Sequence, residues 1–359
     1  MVISRKFWVF LLVGLLSLGL MFAGCAPEEV EEDPDEPEEV EEVEEEPEEE
    51  IEYPRELTFT HTHTASGWYV WASTYTSLAN EHSDILDITL IESGGAAEAF
   101  EMGLEGMADI FNANAIEVLR AVEGEGDYEP QEDLRGLHST VSAPNVLAVR
   151  ADADIENFED LDGKPINPGG MGTATELIVE DVMELFGIEP DYQRMGMDDA
   201  ADAFRDGDIV AFFKTAAAPD YPDALIQELE LTMDLEIISL TEEQAEMIED
   251  AGIAFTYETP PGTYEGQDEP ILSKGTAYVH NTYKDRLTAE EAYEFSSINM
   301  QHQDLLEGAA PGPGVEDPVQ LTFDTMPWPL HVGVIELLLD MGYDLDDIPD
   351  VNIPPEFEE

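Results

Sequence analysis

Three loops of this chain share one form, in which small residues lie between a predicted strand and a predicted helix. They are ASGWY (65–69), ESGGAAEAF (92–100) and NPGGMGTATE (167–176). Strand and helix patterns alternate on both sides of these loops, and such alternation is typical of βα units that form mostly parallel sheets. The sequence therefore predicts an α/β fold of roughly 305 residues, a length that suits about two domains.

The alternation occurs in two series. The first begins with a predicted strand at 57–63, and the second follows a predicted strand at 145–150. The second series contains an amphipathic helix at 172–186, and Gly187 follows it at the position where helices commonly end. Two series of this kind predict two lobes.

The order of the segments predicts that the second lobe is inserted in the first. Lobe 1 is expected to comprise residues 55–147 and 263–359, and lobe 2 residues 148–262. Ligands of open α/β sheets bind beyond the carboxyl ends of the strands, so a ligand cleft is expected between the lobes. Hinge motion is expected at the two crossings, near residues 145–150 and 255–265.

The first 25 residues have the pattern of a secretion signal. Arg5 and Lys6 precede an almost unbroken apolar run at 7–22, which is too short for a stable spanning helix, and Cys25 follows two small residues. The position of Cys25 predicts lipid modification after cleavage. Because the chain has no other cysteine, the mature fold contains no disulfide.

Residues 26–54 are predicted to form an unfolded acidic spacer between the membrane and the fold. Within them, residues 28–52 hold 18 acidic side chains and no basic one. The remainder, residues 53–359, keeps 66 acidic and 11 basic side chains, a net charge of −55. Salt screens such self-repulsion, so the composition indicates a saline exterior and a halophilic protein. It also argues against nucleic acid and anionic lipid as partners.

The three loops are the candidate binding elements. Small residues allow a ligand to approach the backbone, and the first N–H groups of a helix have no partner within the helix. These groups attract a carboxylate or phosphate without a lysine or arginine. Hydroxyl donors in the loops are Ser66, Ser93, Thr173 and Thr175. Asn112 and Asn114 end another predicted strand, either as turn or capping residues or as a polar pair that reaches the cleft.

Two alternative functions are considered, one based on the histidines and one on the many carboxylates. His61 and His63 alternate along the first predicted strand, so an exported metal-ion receptor is one alternative, although a metal site needs three or four ligands. A secreted hydrolase with hidden carboxylates is the other. The chain lacks the G-x-S-x-G, H-E-x-x-H and Walker motifs. We therefore expect a protein that is not an enzyme and has no cofactor.

The same stretches resemble the TAXI family of solute receptors, which serve tripartite ATP-independent periplasmic (TRAP) transporters. The resemblance covers about residues 57–343. Its pieces, in family order, are ASGWYVW, ESGGAAEAF, VRADADIENFEDLDGKPINPGGMGTATE, DAADAFRDGDIVAFF, PPGTYEGQDEP and PLHVGV. Each piece alone is loose, whereas six in order are specific.

The resemblance implies a two-lobed periplasmic-binding-protein fold of type II, a Venus flytrap with its ligand cleft between the lobes. It implies a monomeric extracytoplasmic receptor, anchored to the membrane by lipid, that delivers a small organic anion to a sodium-coupled TRAP permease. The implied anions are dicarboxylates, 2-oxo acids or amino acids such as glutamate.

Residues are carried over from the family by position. The implied ligand-binding residues are Ser66, Gly67, Trp68, Tyr69, Ser93, Gly94, Asn112, Asn114, Gly172, Thr173 and Ala174. His331 also matches a family position. The sequence departs from the family at Val70, Trp71 and Met171, and the paired asparagines are neutral where the family can place an acid. These departures concern the identity of the ligand, and a larger or more apolar acid is an alternative.

Overall fold

The computed structural model of the protein describes residues 53–64, 67–126, 128–170, 173–306 and 316–357. The described residues belong to one compact unit, Ile51–Glu359. The predicted signal peptide with Cys25 and nearly all of the predicted spacer lie outside them. None of the helices in the described part is both long and apolar enough to cross a membrane.

The described residues form ten strands and ten α-helices. The strands β1 to β10 are Arg55–Thr60, Leu86–Ile91, Ile110–Asn114, Leu134–Arg150, Pro165–Asn167, Asp191–Tyr192, Ala211–Thr215, Leu235–Ile238, Phe255–Thr259 and Ile271–Tyr283. The helices α1 to α10 are Gly67–His82, Ala96–Leu104, Ala115–Glu123, Ala174–Phe186, Met197–Asp206, Ala224–Glu230, Glu242–Asp250, Ala289–Gln301, Pro318–Thr325 and Val332–Asp340.

All ten strands belong to one sheet, and its order repeats the same pattern twice. The order is β2-β1-β3-β10-β4-β7-β5-β6, with β8 on β4 and β9 on β10. At one end β2, β1 and β3 are parallel and β10 is antiparallel to β3. At the other end β6, β5 and β7 are parallel and β4 is antiparallel to β7. Each end is therefore a parallel βα unit closed by one antiparallel strand.

The hydrophobic core is divided in the same way as the sheet. One large cluster packs helices α1, α2, α3, α8, α9 and α10 against β1, β3 and β10. Its buried side chains include Phe59, Trp71 and Phe295. Two further clusters lie on opposite faces of β4 and β7, one containing Phe213 and the other Phe212. The predicted α/β fold with two lobes is confirmed. Lobe 1 here means the part around the first cluster, and lobe 2 the part around the other two.

The two long strands β4 and β10 connect the lobes. Along β4, Leu137 packs in the lobe 1 core and Leu147 in the lobe 2 core. Along β10, Ile271 packs in lobe 2 and Ala277 in lobe 1. Phe255, at the start of β9, also packs against the lobe 1 core. The hinge positions near residues 145–150 and 255–265 stay a prediction. The segment boundaries of the lobes stay a prediction.

Candidate functional site

A cavity of about 180 Å³ lies where lobe 2 meets the two connecting strands. Its walls come from the loop before α4, the first turn of α4, the end of β7, the start of α5, and the middle of β4 and β10. The lining residues are Asn145, Gly169, Gly170, Thr173, Ala174, Thr175, Ile178, Met197, Phe213, Lys214, Thr215, Thr276 and Tyr278.

The first turn of α4 supplies one wall. Thr173 precedes the helix in an extended conformation, and its Oγ1 accepts a hydrogen bond from the Glu176 amide at 3.4 Å. The same hydroxyl donates to the Gly170 carbonyl oxygen at 2.7 Å, which closes the loop. The amides of Ala174 and Thr175 have no partner within the helix. This wall therefore presents N–H groups and the positive end of a helix dipole to the cavity.

A row of polar side chains joins this helix to the connecting strands. The Thr175 and Thr215 hydroxyl oxygens are 2.6 Å apart, and the Asn145 amide nitrogen donates to the Thr215 hydroxyl at 3.0 Å. Asn145 and Thr215 are opposite each other in the pairing of β4 with β7. The Asn145 side chain is buried, and its Oδ1 has no hydrogen-bond partner in the described part of the chain. A cavity-lining residue thus keeps one buried acceptor unsatisfied.

Two lysines belong to this region, and sequence reasoning singled out neither. Lys214 lines the cavity, with its Nζ 3.1 Å from an Asp223 carboxylate oxygen. Lys274 is opposite Asn145 in the pairing of β10 with β4, and it is fully buried. Its Nζ lies 4.0 Å from the ring centroid of Phe213. The signal that could have found Lys274 is a lone charge within the otherwise uncharged strand ILSKGTAYVH.

On the lobe 1 side, Trp68 packs against Tyr278, a residue of the cavity wall. Its ring centroid is 5.4 Å from that of Tyr278, which lines the cavity. Asn114 ends β3 opposite Tyr278, and Asn112 is opposite His280. Both asparagines are buried, and within the described ranges the Oδ1 of each has no hydrogen-bond partner.

Ser93, Gly94 and Tyr69 are not among the residues that line the cavity. The Ser93 hydroxyl donates to the His61 carbonyl oxygen and, at 2.9 Å, to the Gly95 carbonyl oxygen. The Gly94 amide donates to a Glu98 carboxylate oxygen at 2.5 Å. These groups hold the second loop to its own surroundings. Tyr69 is half-buried on α1, which begins at Gly67. Ser66 and Gly172 lie outside the described residues.

His61 and His63 differ in their environments. Strand β1 ends at Thr60, where its neighbour β2 also nears its end, and the His61 amide still donates to the Ile91 carbonyl oxygen at 3.3 Å. His61 is 2% exposed whereas His63 is exposed. The strand alternation predicted for 57–63 therefore stops before both histidines. Within the described ranges, no group of three or more His, Cys, Asp or Glu side chains could hold a metal ion.

His61 instead belongs to a buried cluster in lobe 1. The His280 Nδ1 lies 2.9 Å from the His138 Nε2, and the ring centroids of His61 and His280 are 5.6 Å apart. Trp71 stacks on His280 at 5.5 Å. Burial lowers the pKa of His61 and of His138 to about 3, and it lowers the pKa of His280 well below its usual value. All three rings are therefore neutral at pH 7.

The chain belongs to the NMT1-like family, whose model matches residues 60–342.

Several solved structures are similar to this chain. The periplasmic aliphatic sulphonate binding protein SsuA from Escherichia coli is 14% identical, with 80% of this chain and 83% of that chain covered and a TM-score of 0.42. A TctC solute binding protein from Polaromonas is 16% identical, with 71% and 87% covered and a TM-score of 0.45. The regulatory domain of MetR, a LysR family regulator from N. meningitidis, is 10% identical, with 72% and 96% covered and a TM-score of 0.40.

Proposed function

We propose that this protein is an extracytoplasmic solute-binding receptor that takes a small organic anion into the cavity at α4. The observation that carries the proposal is the first turn of α4 at the cavity wall. There Ala174 and Thr175, whose amides have no partner within the helix, line the cavity. A carboxylate bound at α4 would be stabilised by hydrogen bonds and by the helix dipole.

The second step is closure of lobe 1 over the ligand. The cavity wall already contains Tyr278 of β10, and Trp68 packs against that ring. The two strands that connect the lobes, β4 and β10, also supply Asn145, Thr276 and Tyr278 to the wall. A ligand that contacts both sides of this wall binds the closed state more tightly than the open state and shifts the population toward it.

The resemblance to the TAXI family extends the proposal to a partner and a location. The receptor is held to the membrane by a lipid on Cys25, spaced from it by the acidic segment, and delivers its ligand to a sodium-coupled TRAP permease. It acts as a monomer and has no enzymatic turnover. The ligands proposed are dicarboxylates, 2-oxo acids or amino acids such as glutamate.

A thermal-shift screen tests this function. The protein is melted in roughly molar salt with each member of a panel of dicarboxylates, 2-oxo acids, amino acids and divalent metal ions. A ligand at a hundredfold excess over its Kd stabilises the native state by about 2.7 kcal/mol. We expect a rise in Tm with at least one organic acid, unchanged by chelator.

Two results of the screen would contradict the proposal. A rise in Tm only with a metal ion would support the metal receptor instead. Conversion of the acid into a product, detected by chromatography, would support the hydrolase.

A further inference from the structure

In the described part of this acidic protein, almost all basic side chains are paired with carboxylates. The described residues include eleven lysines and arginines, and nine of them make ion pairs with carboxylates. The two without such a pair are Lys164, which is half-buried, and Lys274, which is fully buried. In a chain with 84 acidic residues, a buried lysine without a carboxylate partner is an exception.

The side-chain nitrogen of Lys274 has no hydrogen-bond partner among the described residues. This buried Nζ lies over the face of the Phe213 ring, 4.0 Å from its centroid. Burying a charged group without a partner is costly, and burial alone lowers the pKa of Lys274 well below its usual value. This arrangement therefore reduces the stability of the protein without ligand.

The position of Lys274 connects it to the cavity. The three neighbours that define this position all line the cavity: Phe213 contacts its Nζ, Asn145 is opposite it on β4, and Thr276 lies two residues further along the same face of β10. The Asn145 Oδ1 is a second buried polar atom without a partner among the described residues. Lys274 thus lies directly behind three residues of the cavity wall, next to a second unpartnered polar atom.

We propose that Lys274 is the cationic anchor of the cavity and forms an ion pair with a carboxylate of the bound organic anion. The proposal rests on the proposed function and adds a specific countercharge to it. The helix N-terminus lines one side of the cavity and Lys274 lies behind another, so together they favour an acid over its neutral amide. The ion pair would also supply the partner that the ammonium lacks.

Replacement of Lys274 by methionine tests this assignment. The matched control is Lys284→Met, which removes the same charge at a site in lobe 1, where Lys284 pairs with Asp133 at 2.8 Å. The wild type and both variants are titrated by calorimetry with succinate, 2-oxoglutarate and glutamate, and with the corresponding amides. We expect Lys274→Met to weaken binding of the acid by about 100-fold, whereas Lys284→Met leaves it unchanged.

The stability of the ligand-free protein gives a second readout. Since the ammonium has no partner, Lys274→Met should raise the Tm of the ligand-free protein, whereas a purely structural lysine would give a lower Tm. Lys274→Gln provides the binding measurement should the methionine variant not fold. Equal affinity of the wild type and the Lys274 variants for the acid would overturn the anchor and leave the receptor function standing. Absence of binding of every acid to the wild type would overturn both.

Discussion

At the scale of single residues, the core of lobe 1 holds polar groups that must stay uncharged. His61, His138 and His280 lie among aromatic rings, with Tyr75 5.6 Å from His138 between ring centroids. A protonated ring there would be a buried cation with no carboxylate partner, so burial lowers the pKa of all three. The cluster makes the fold sensitive to acid.

The first prediction concerns this sensitivity. The folded pKa of His61 and of His138 is about 3, below the ordinary value of 6.5, so unfolding takes up protons between these values. The free energy of unfolding is therefore not reduced by these histidines above about pH 6.5, and it falls as the pH decreases below that value. Between pH 7 and pH 5.5, we expect the free energy of unfolding to fall by about 1.3 kcal/mol for each of these two histidines.

Urea denaturation in molar salt at a series of pH values measures this loss. The variant His138→Gln should show a shallower pH dependence, whereas His302→Gln, at an exposed position, should keep that of the wild type. A free energy of unfolding that does not change between pH 7 and pH 5.5 would contradict the account of the cluster.

The second prediction concerns Gly275, where β10 passes β4 between the lobes. A Cβ at this position would lie 2.3 Å from the Ala143 carbonyl oxygen. We expect Gly275→Ala to lower the free energy of unfolding by about 1–3 kcal/mol, since the two backbones must move apart. Gly196→Ala is the control, because a Cβ there meets nothing within 4 Å. Similar denaturation midpoints for the two variants would show that the crossing is not closely packed.

The residues of the candidate site fall into two groups. Some belong to a recognisable local sequence pattern, and others are brought to the cavity by long-range strand pairing. Thr173 and Ala174 could be identified because a small-residue loop before a helix is a local pattern. Lys274 and Tyr278 could not, because the pairing of β10 with β4 brings them to the cavity from 100 residues further along the chain. A single sequence does not show such long-range pairing.

At the scale of elements, the helices were easier to predict than the strands. The predicted helix at 172–186 corresponds to α4, Ala174–Phe186, because short-range periodicity determines it. Gly187 ends α4 with a positive φ of 69°, as predicted. The start of β4 at Leu134 was not predicted, because Gly136, Pro144 and several hydroxyl residues interrupt the strand pattern. Those residues are tolerated because β10 pairs with β4 along most of its length.

The third prediction uses Thr173, the residue that caps the N-terminus of α4, to separate stability from binding. In Thr173→Asp, the carboxylate can accept the hydrogen bond from the Glu176 amide and interacts favourably with the helix dipole, so stability should be unchanged or higher by up to about 1 kcal/mol. The same carboxylate occupies the anion position at the cavity wall. We expect binding of the organic acid to be lost.

Thr241→Asp is the matched control for this variant. Thr241 also caps a helix, α7, and it accepts a hydrogen bond from the Gln244 amide at 3.2 Å, but it does not line the cavity. The substitution adds the same charge to the same kind of helix end. Thermal melts and calorimetric titrations of both variants should show similar stability and a difference in binding alone. Equal loss of binding in both would point to an effect of overall charge.

At the scale of the whole molecule, charge decides the conditions under which the protein folds. The full chain has a formal net charge of −71 at pH 7, and most of the described cations are already paired. Self-repulsion of this size destabilises a compact state. The Debye length falls from about 10 Å at 0.1 M salt to about 3 Å at 1 M, so most of the screening is reached by 1 M.

The fourth prediction follows from this screening. We expect the Tm to rise steeply between 0.1 M and 1 M KCl and to change less above 1 M. Sodium chloride should give the same curve, because screening does not depend on which monovalent cation is present. A Tm that is constant or falls over this range, measured by circular dichroism, would contradict the role given to the acidic surface.

The central claim is that the cavity at α4 binds a small organic anion. The most direct measurement is a calorimetric titration of the strongest acid from the screen, in molar salt with chelator present, into the wild type and Thr173→Asp. The account predicts saturation at one acid per chain for the wild type and no binding for the variant. Equal binding to both proteins would place the ligand elsewhere, and absence of binding to the wild type for every acid tested would contradict the receptor function itself.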